Sequence, residues 1–242
     1  TRAMASTGGR RFGLGWLIAA AVLPTLLWQL PFGHYVLFPF SVLATWFHEM
    51  GHGLTALLLG GSFNRLELFW GGSGLANAGA SGRIPTALVS AGGLMGPPIA
   101  GFFFLMASTR AATARLALIF LGALMLFSVA VWVRTLFGCV TVSLIGAGIL
   151  LLAARGSVDL QAFCVKLIGV QACIAAYRSR GYMFSDEVKI AGNLMHSDTA
   201  HIAQQLFLPY WFWGGTLFVV STALLVGGLY LSTVRAAAEP RS

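Results

Sequence analysis

"TWFHEMGHGLTALLLGG", residues 45–61, sets two histidines and a glutamate inside an otherwise apolar run. An acid at the centre of a membrane-spanning helix costs about 2.5–3.5 kcal/mol even on the lenient insertion scale, so such residues are functional by default. His48 and His52 stand four residues apart, on one helix face, where two imidazoles can meet one metal ion. Glu49 sits beside them, unable to ligate at the same point but able to hold a water. This is the His-Glu-x-x-His device, two zinc ligands plus a general base for hydrolysis. Gly51 and Gly53 flank His52 and leave room for a close neighbour or a substrate. Histidines that merely bond to neighbouring helices are the alternative, and the spacing with the adjoining acid favours metal.

The rest of the chain supports a helix in lipid. Of 242 residues, 57% are hydrophobic and only 9% charged, and the mean hydropathy is +0.82. Soluble domains carry about 25% charged residues. A bilayer core takes about 20 helical residues, and runs of that length fall at 12–31, 35–60, 85–107, 114–133, 136–154 and 210–232. A less apolar segment, 158–177, carries Asp159 and Lys166; it reads as a seventh span lining the bundle interior or as an interfacial helix. The predicted fold is therefore an α-helical polytopic membrane protein of six to seven spans. A short β-hairpin over 62–82 follows the second span, where "FNRLELFW" sets Leu66, Leu68 and Trp70 on one face and Arg65 and Glu67 on the other, before a "GGSG" turn. Residues 1–11 form a basic cytoplasmic N-terminus, 12–232 a single embedded domain and 233–242 a tail. Arg10 and Arg11 precede an apolar run too long for a signal peptide, so a retained first span is expected.

The net charge of +8 does not point to nucleic acid, because the basic residues are scattered between apolar runs. Arg2, Arg10 and Arg11, with Arg65 and Arg83 two spans later, place the N-terminus and the hairpin on the cytoplasmic side. Arg110 and Arg115 then fall on the wrong side of the third span, unless Pro97-Pro98 break that span. Cys139, Cys164 and Cys173 are an odd number without C-x-x-C spacing and read as buried free thiols. Gly92 and Gly96 stand at G-x-x-x-G spacing, a helix-packing signal that by itself says nothing about chemistry.

A catalytic zinc needs a third protein ligand and an open fourth position. Beyond Glu49, Glu67 and Glu239, the acids are Asp159, Asp186, Glu187 and Asp198, with His34, His196 and His201 as nitrogen alternatives. Asp198 is the leading candidate and His201, one turn on, the next. Asp198 also opens the helix-like "DTAHIAQQL", so a helix cap is its competing role.

The chain resembles the site-2-protease-like intramembrane zinc metallopeptidases, in the B-type branch of peptidase family M-fifty. The resemblance rests on "HEMGH" at 48–52, "GGSGLA" at 71–76 and "SAGGLMGPP" at 90–98. It extends through "RTLFG" at 134–138, "GVQACIAAY" at 169–177 and "HSDTAHIAQQLFLPYWFW" at 196–213, covering most of residues 40–215. The N-x-x-P and L-D-G elements that carry the third ligand in the best-known members are absent, and Ser197-Asp198 resembles the B-type branch instead. In such proteins a re-entrant hairpin beside the site presents substrate as an added strand. Here that implies Leu66, Leu68, Gly74, Leu75 and Asn77 as substrate-binding residues.

The expected activity is peptide-bond hydrolysis at or within the membrane, with Zn2+ on His48, His52 and Asp198 and Glu49 as base. The expected partners are a transmembrane or membrane-proximal protein substrate, the lipid bilayer and other membrane subunits, with no nucleic acid. The expected location is integral and multi-pass, in a bacterial inner membrane. The competing expectation is a non-catalytic structural or assembly subunit of a larger membrane complex that keeps the metallopeptidase fold.

Overall fold

The computed structural model describes Val22 and residues 26–27, 29–30, 32–190 and 192–238. The expected N-terminal stretch 1–11 and most of the first span 12–31 lie outside the described residues, as does the end of the tail. The elements in chain order are the single turn α1 (Gly33–Val36), α2 (Phe38–Leu58), the strands β1 (Ser62–Leu68) and β2 (Gly74–Gly79), then α3 (Arg83–Ala107) and α4 (Ala111–Val131). There follow α5 (Leu136–Arg155), α6 (Val158–Arg178), the single turn α7 (Arg180–Met183), β3 (Glu187–Ile190), β4 (Asn193–His196), α8 (Asp198–Gln205) and α9 (Tyr210–Ala238). The protein is a mostly helical, polytopic membrane fold with the hairpin in its expected place.

Among the described residues, α3, α4, α5, α6 and α9 are long and apolar enough to cross a bilayer. The helix α2 has the length but carries His48, Glu49 and His52 in its middle. The segment at 158–177 behaves as an interior helix: 61% of the most apolar window of α6 is buried, against 17% in α9. Gln161, Lys166 and Gln171 are among its buried residues. This favours the interior-span reading of α6 over an interfacial one. The helix α3 runs unbroken through Pro97 and Pro98, so a broken third span does not account for Arg110 and Arg115. Prolines inside membrane helices are tolerated where neighbours satisfy the freed carbonyls.

Two helices, α2 and α3, meet along glycine. A Cβ on Gly51 would lie 2.2 Å from the Gly92 carbonyl oxygen, and one on Gly96 would lie 2.3 Å from that of Phe47. Only backbone-to-backbone approach fits there. The core beneath the hairpin gathers Trp46, Met50, Leu66, Leu118, Leu121 and Met125, all nearly or fully inaccessible. Buried polar groups pair: Trp46 Nε1 donates to Ser128 Oγ at 2.9 Å.

The helix α2 stops at a left-handed Gly60, φ +74°. Its last carbonyls are closed by Gly61 N–H to Ala56 O (2.8 Å) and Gly60 N–H to Leu57 O (3.1 Å), the paired bonds of a Schellman ending. The chain then turns straight into β1, which pairs antiparallel with β2 across a tight turn at Gly72, φ +80°. Thr45 of α2 donates to the Gly72 carbonyl at 2.6 Å and holds that turn against the helix. The other edge of β1 is taken by the α4–α5 connection: Leu66 N–H donates to Trp132 O (2.8 Å) and Arg134 N–H to Leu66 O (3.0 Å). Thr135 Oγ1 donates to Leu68 O at 2.8 Å one step further along. With β1 held on both sides, β2 is the outer strand.

The polar stretch after α6 folds into a second hairpin, β3 against β4, in register from Glu187↔His196 to Ile190↔Asn193. The short helix α8 follows at once and packs on α3 and α9.

Candidate metal centre

His48 and His52 project from the middle of α2, with ring centroids 4.8 Å apart. Their Nε2 atoms are 3.1 Å from each other. Asp198, 146 residues further along the chain from His52, closes the triangle: Oδ2 is 3.1 Å from His48 Nε2 and Oδ1 is 3.4 Å from His52 Nε2. With one atom taken from each residue, the ligand atoms all lie within 4.8 Å of one another, and the 3.1 Å between the two Nε2 atoms is close to the tetrahedron edge of about 3.3–3.4 Å that zinc bonds of about 2.0–2.1 Å set. Asp198 Oδ2 is buried and has no hydrogen-bond partner among the described residues. A buried carboxylate oxygen left in that state is costly. Three donor atoms converging with one of them unsatisfied can hold a metal ion.

Local structure sets each donor. His52 Nδ1 lies 2.8 Å from Val89 O on α3. A carbonyl only accepts, so Nδ1 carries the proton and Nε2 keeps its lone pair for the centre. The ring fits because Gly93 has no side chain: a Cβ there would stand 2.2 Å from His52 Nε2 and Cε1. The G-x-x-x-G stretch thus shapes the chemical site as well as the helix seam. Gly51 faces Gly92, and Gly53 is covered by the Phe63 ring, so the room beside His52 is filled by α3 and β1.

Asp198 is the first residue of α8, and the cap is Ser197, whose Oγ accepts the Ala200 N–H at 3.1 Å. The Asp198 carboxylate is therefore released from capping. Around it, Ser197 Oγ donates to Ser185 O (2.6 Å) and Thr199 Oγ1 to Met183 O (2.9 Å). Asp198 N–H itself donates to Tyr182 Oη at 3.2 Å. Burial, with the Asp198 and Glu49 carboxylates, pushes the Tyr182 phenol up, so it stays protonated.

Glu49 is 5% exposed. It lies against β2: a Cβ on Gly74 would come within 2.6 Å of its Oε1, and the backbone of Ala76 hydrogen-bonds it. A cavity of about 1480 Å³ opens over these residues, walled by β2 and its turn on one side and by Val188, Lys189, Ile190 and Met195 of the second hairpin on another.

The other sequence-derived candidates divide. Gly74 and Leu75 line the cavity. Leu66 and Leu68 do not: they are 0% and 2% exposed, packed downward into the core, with their backbones spent on residues 132–135. Asn77 faces away as well, its Oδ1 accepting from Asn64 Nδ2 at 3.0 Å on the exposed side of the hairpin. The side chains of these three residues do not line the cavity. His201 lines the cavity but outside the trio, its ring 5.9 Å from His196, which in turn sits 3.7 Å from Asp186. Tyr182, the Val89 carbonyl, the Ser197 cap and the second hairpin were not anticipated. Of these only Ser197 had a sequence signal, a serine opening a helix.

A family model described as Peptidase M50B-like matches residues 16–228 of the chain. No protein of curated function and no solved structure matches it.

Proposed function

The chain belongs to the Peptidase M50B-like family, and from that membership we propose that it is a zinc metallopeptidase cutting peptide bonds in or near the bilayer of a bacterial inner membrane. The observation that carries the reading is the convergence of His48 Nε2, His52 Nε2 and the Asp198 carboxylate beside a buried Glu49. Two imidazoles and one carboxylate suit zinc, which as a Lewis acid acidifies water and polarises a carbonyl. His52 is held in the liganding tautomer by Val89, and Asp198 is held by the Ser197–Thr199 clamp. Glu49 takes a proton from the attacking water as the water oxygen bonds to the carbonyl carbon. It then passes that proton to the amide nitrogen as the C–N bond breaks, so no net proton is lost.

The substrate is a transmembrane or membrane-proximal protein segment, laid extended along β2. What supports this is that β1 is paired on both sides, that β2 is the outer strand, and that β2 meets both the cavity and Glu49. Strand addition supplies backbone bonds without demanding one side-chain sequence.

Metal analysis of protein purified without chelator is expected to find about one zinc per chain. Metal-free protein that takes up no added zinc would remove the proposal at its base. Protein that holds zinc, cleaves nothing and co-purifies stoichiometrically with other membrane subunits would instead make it an assembly subunit.

A further inference from the structure

We propose that Tyr182 is a further catalytic residue, its phenol donating a hydrogen bond to the scissile carbonyl oxygen as that oxygen takes on charge. The proposal rests on the peptidase reading above and names a group which that reading leaves unused. Tyr182 lines the same cavity as His48, Glu49, His52 and Asp198. Its ring stands edge-on to His48, centroids 6.0 Å apart and planes at 85°. Its oxygen accepts the Asp198 backbone N–H at 3.2 Å. A phenol has one proton to donate and two lone pairs to accept with. The Asp198 N–H uses a lone pair and fixes the oxygen beside Asp198; the one proton lies within reach of the Asp198 carboxylate, and turning it to a substrate carbonyl oxygen is the step proposed here.

The phenol is also built into a rigid place. The chain directly after Tyr182 is tied to the residues around Asp198 twice, through Thr199 Oγ1 to Met183 O and Ser197 Oγ to Ser185 O. A donor fixed in advance stabilises developing charge without reorganising at the moment of reaction. Glu49 reaches the centre from the β2 wall and Tyr182 from the α7–α8 wall. A carbonyl set between them would have the proton acceptor on the side of the attacking water and a donor near its oxygen. No proton is transferred to or from Tyr182; the hydrogen bond strengthens as the carbonyl oxygen becomes negative.

The test is Tyr182→Phe, compared with wild type for zinc content, kcat, KM and affinity for a zinc-binding phosphinic peptide that mimics the tetrahedral state. Losing one such donor is expected to lower kcat by about 10²–10³-fold. Zinc content and KM should stay near wild type, and phosphinic peptide binding should weaken while binding of the cleaved product peptide does not. A Phe variant with wild-type kcat overturns the proposal. So does one that loses zinc, because Tyr182 would then only position Asp198. Tyr182→Ser, polar but too short to reach the centre, carries the same expectations should the Phe variant not fold. If the wild type itself cleaves nothing, it is the peptidase reading that fails.

Discussion

A single methyl group added at Gly93 is expected to empty the metal centre while the helix bundle stays folded. The built Cβ lies 2.2 Å from His52 Nε2 and Cε1 and 2.7 Å from Cδ2. Ordinary contact needs about 3.5 Å, so the ring must retreat by roughly 1.3 Å. It cannot do so in place, because Nδ1 is bonded to Val89 O at 2.8 Å. Retreat therefore breaks that bond, worth about 0.5–1.5 kcal/mol, and carries Nε2 away from His48 and Asp198. Substitutions that disturb only the partners of a liganding histidine weaken metal affinity by about 10–100-fold. Gly93→Ala displaces the ligand atom itself, so a loss of at least about 100-fold is expected. The net stability cost should be of similar size or smaller, which a bundle of this size withstands. Overpacking costs about 1–3 kcal/mol, and alanine's helix preference over glycine returns up to about 1 kcal/mol. The assay is zinc competition against a chromophoric chelator in detergent, with thermal unfolding alongside. Gly148→Ala, where a Cβ meets nothing within 4 Å, is the control. If Gly93→Ala binds zinc within about threefold of wild type, the stated place of His52 is wrong.

Four further substitutions separate the roles at the site. Glu49→Gln should keep its zinc and lose hydrolysis by about 10²-fold or more, since it removes only the proton acceptor; cleavage of a transmembrane peptide at the wild-type rate would exclude Glu49 as base. Asp198→Ala should lose zinc and activity together, whereas Ser197→Ala should cost about 1–2 kcal/mol of stability as a lost cap and weaken zinc binding without abolishing it, because it also removes the contact to Ser185 that helps hold Asp198, as metal content and thermal melts would report. Leu66→Ala should destabilise by about 2–5 kcal/mol, the range for a fully buried leucine, and leave sequence preference unchanged in whatever fraction folds. A changed cleavage-site preference in that variant would restore Leu66 as a substrate contact.

The helices and the histidine pair were legible because each follows from a short-range rule. Length and hydropathy mark spans, and four-residue spacing sets His48 and His52 on one face. The hairpin was legible from its alternation, but alternation says only that Leu66 and Leu68 share a face, not which face meets the core. That was decided by Trp132–Thr135, a connection some 66 residues away that pairs with β1 and pins the leucines inward. Asp198 was reachable because so few acids exist in the chain, yet its choice over a capping role depended on Ser197 taking the cap. Tyr182 carried no signal at all. One tyrosine in a polar stretch has no period, and its importance lies in what α7 and α8 bring together.

The glycines of α3 join these levels. Gly92 and Gly96 were readable as packing, and they do admit the backbone of α2. Their neighbour Gly93 is spent on the imidazole of His52, and Val89, one helical turn earlier, supplies the carbonyl that orients the same ring. The close approach of the two helices is therefore a condition of the chemistry. Were α2 and α3 held apart by ordinary side chains, Val89 O could not reach Nδ1, and His52 would be free to turn Nε2 away from Asp198. In lipid, where apolar burial gives helices no reason to associate, the glycine seam supplies the contact that a hydrophobic interface would supply in water. The same seam fixes the tautomer of a metal ligand. Substitutions at Gly92 that leave the bundle assembled should then still weaken metal binding, because a side chain there meets Thr55 Oγ1 at 2.2 Å and the Gly51 carbonyl at 2.9 Å and drives α2 from α3. Zinc affinity of Gly92→Ala in folded protein measures this coupling directly, and wild-type affinity there would show that packing and ligation are independent.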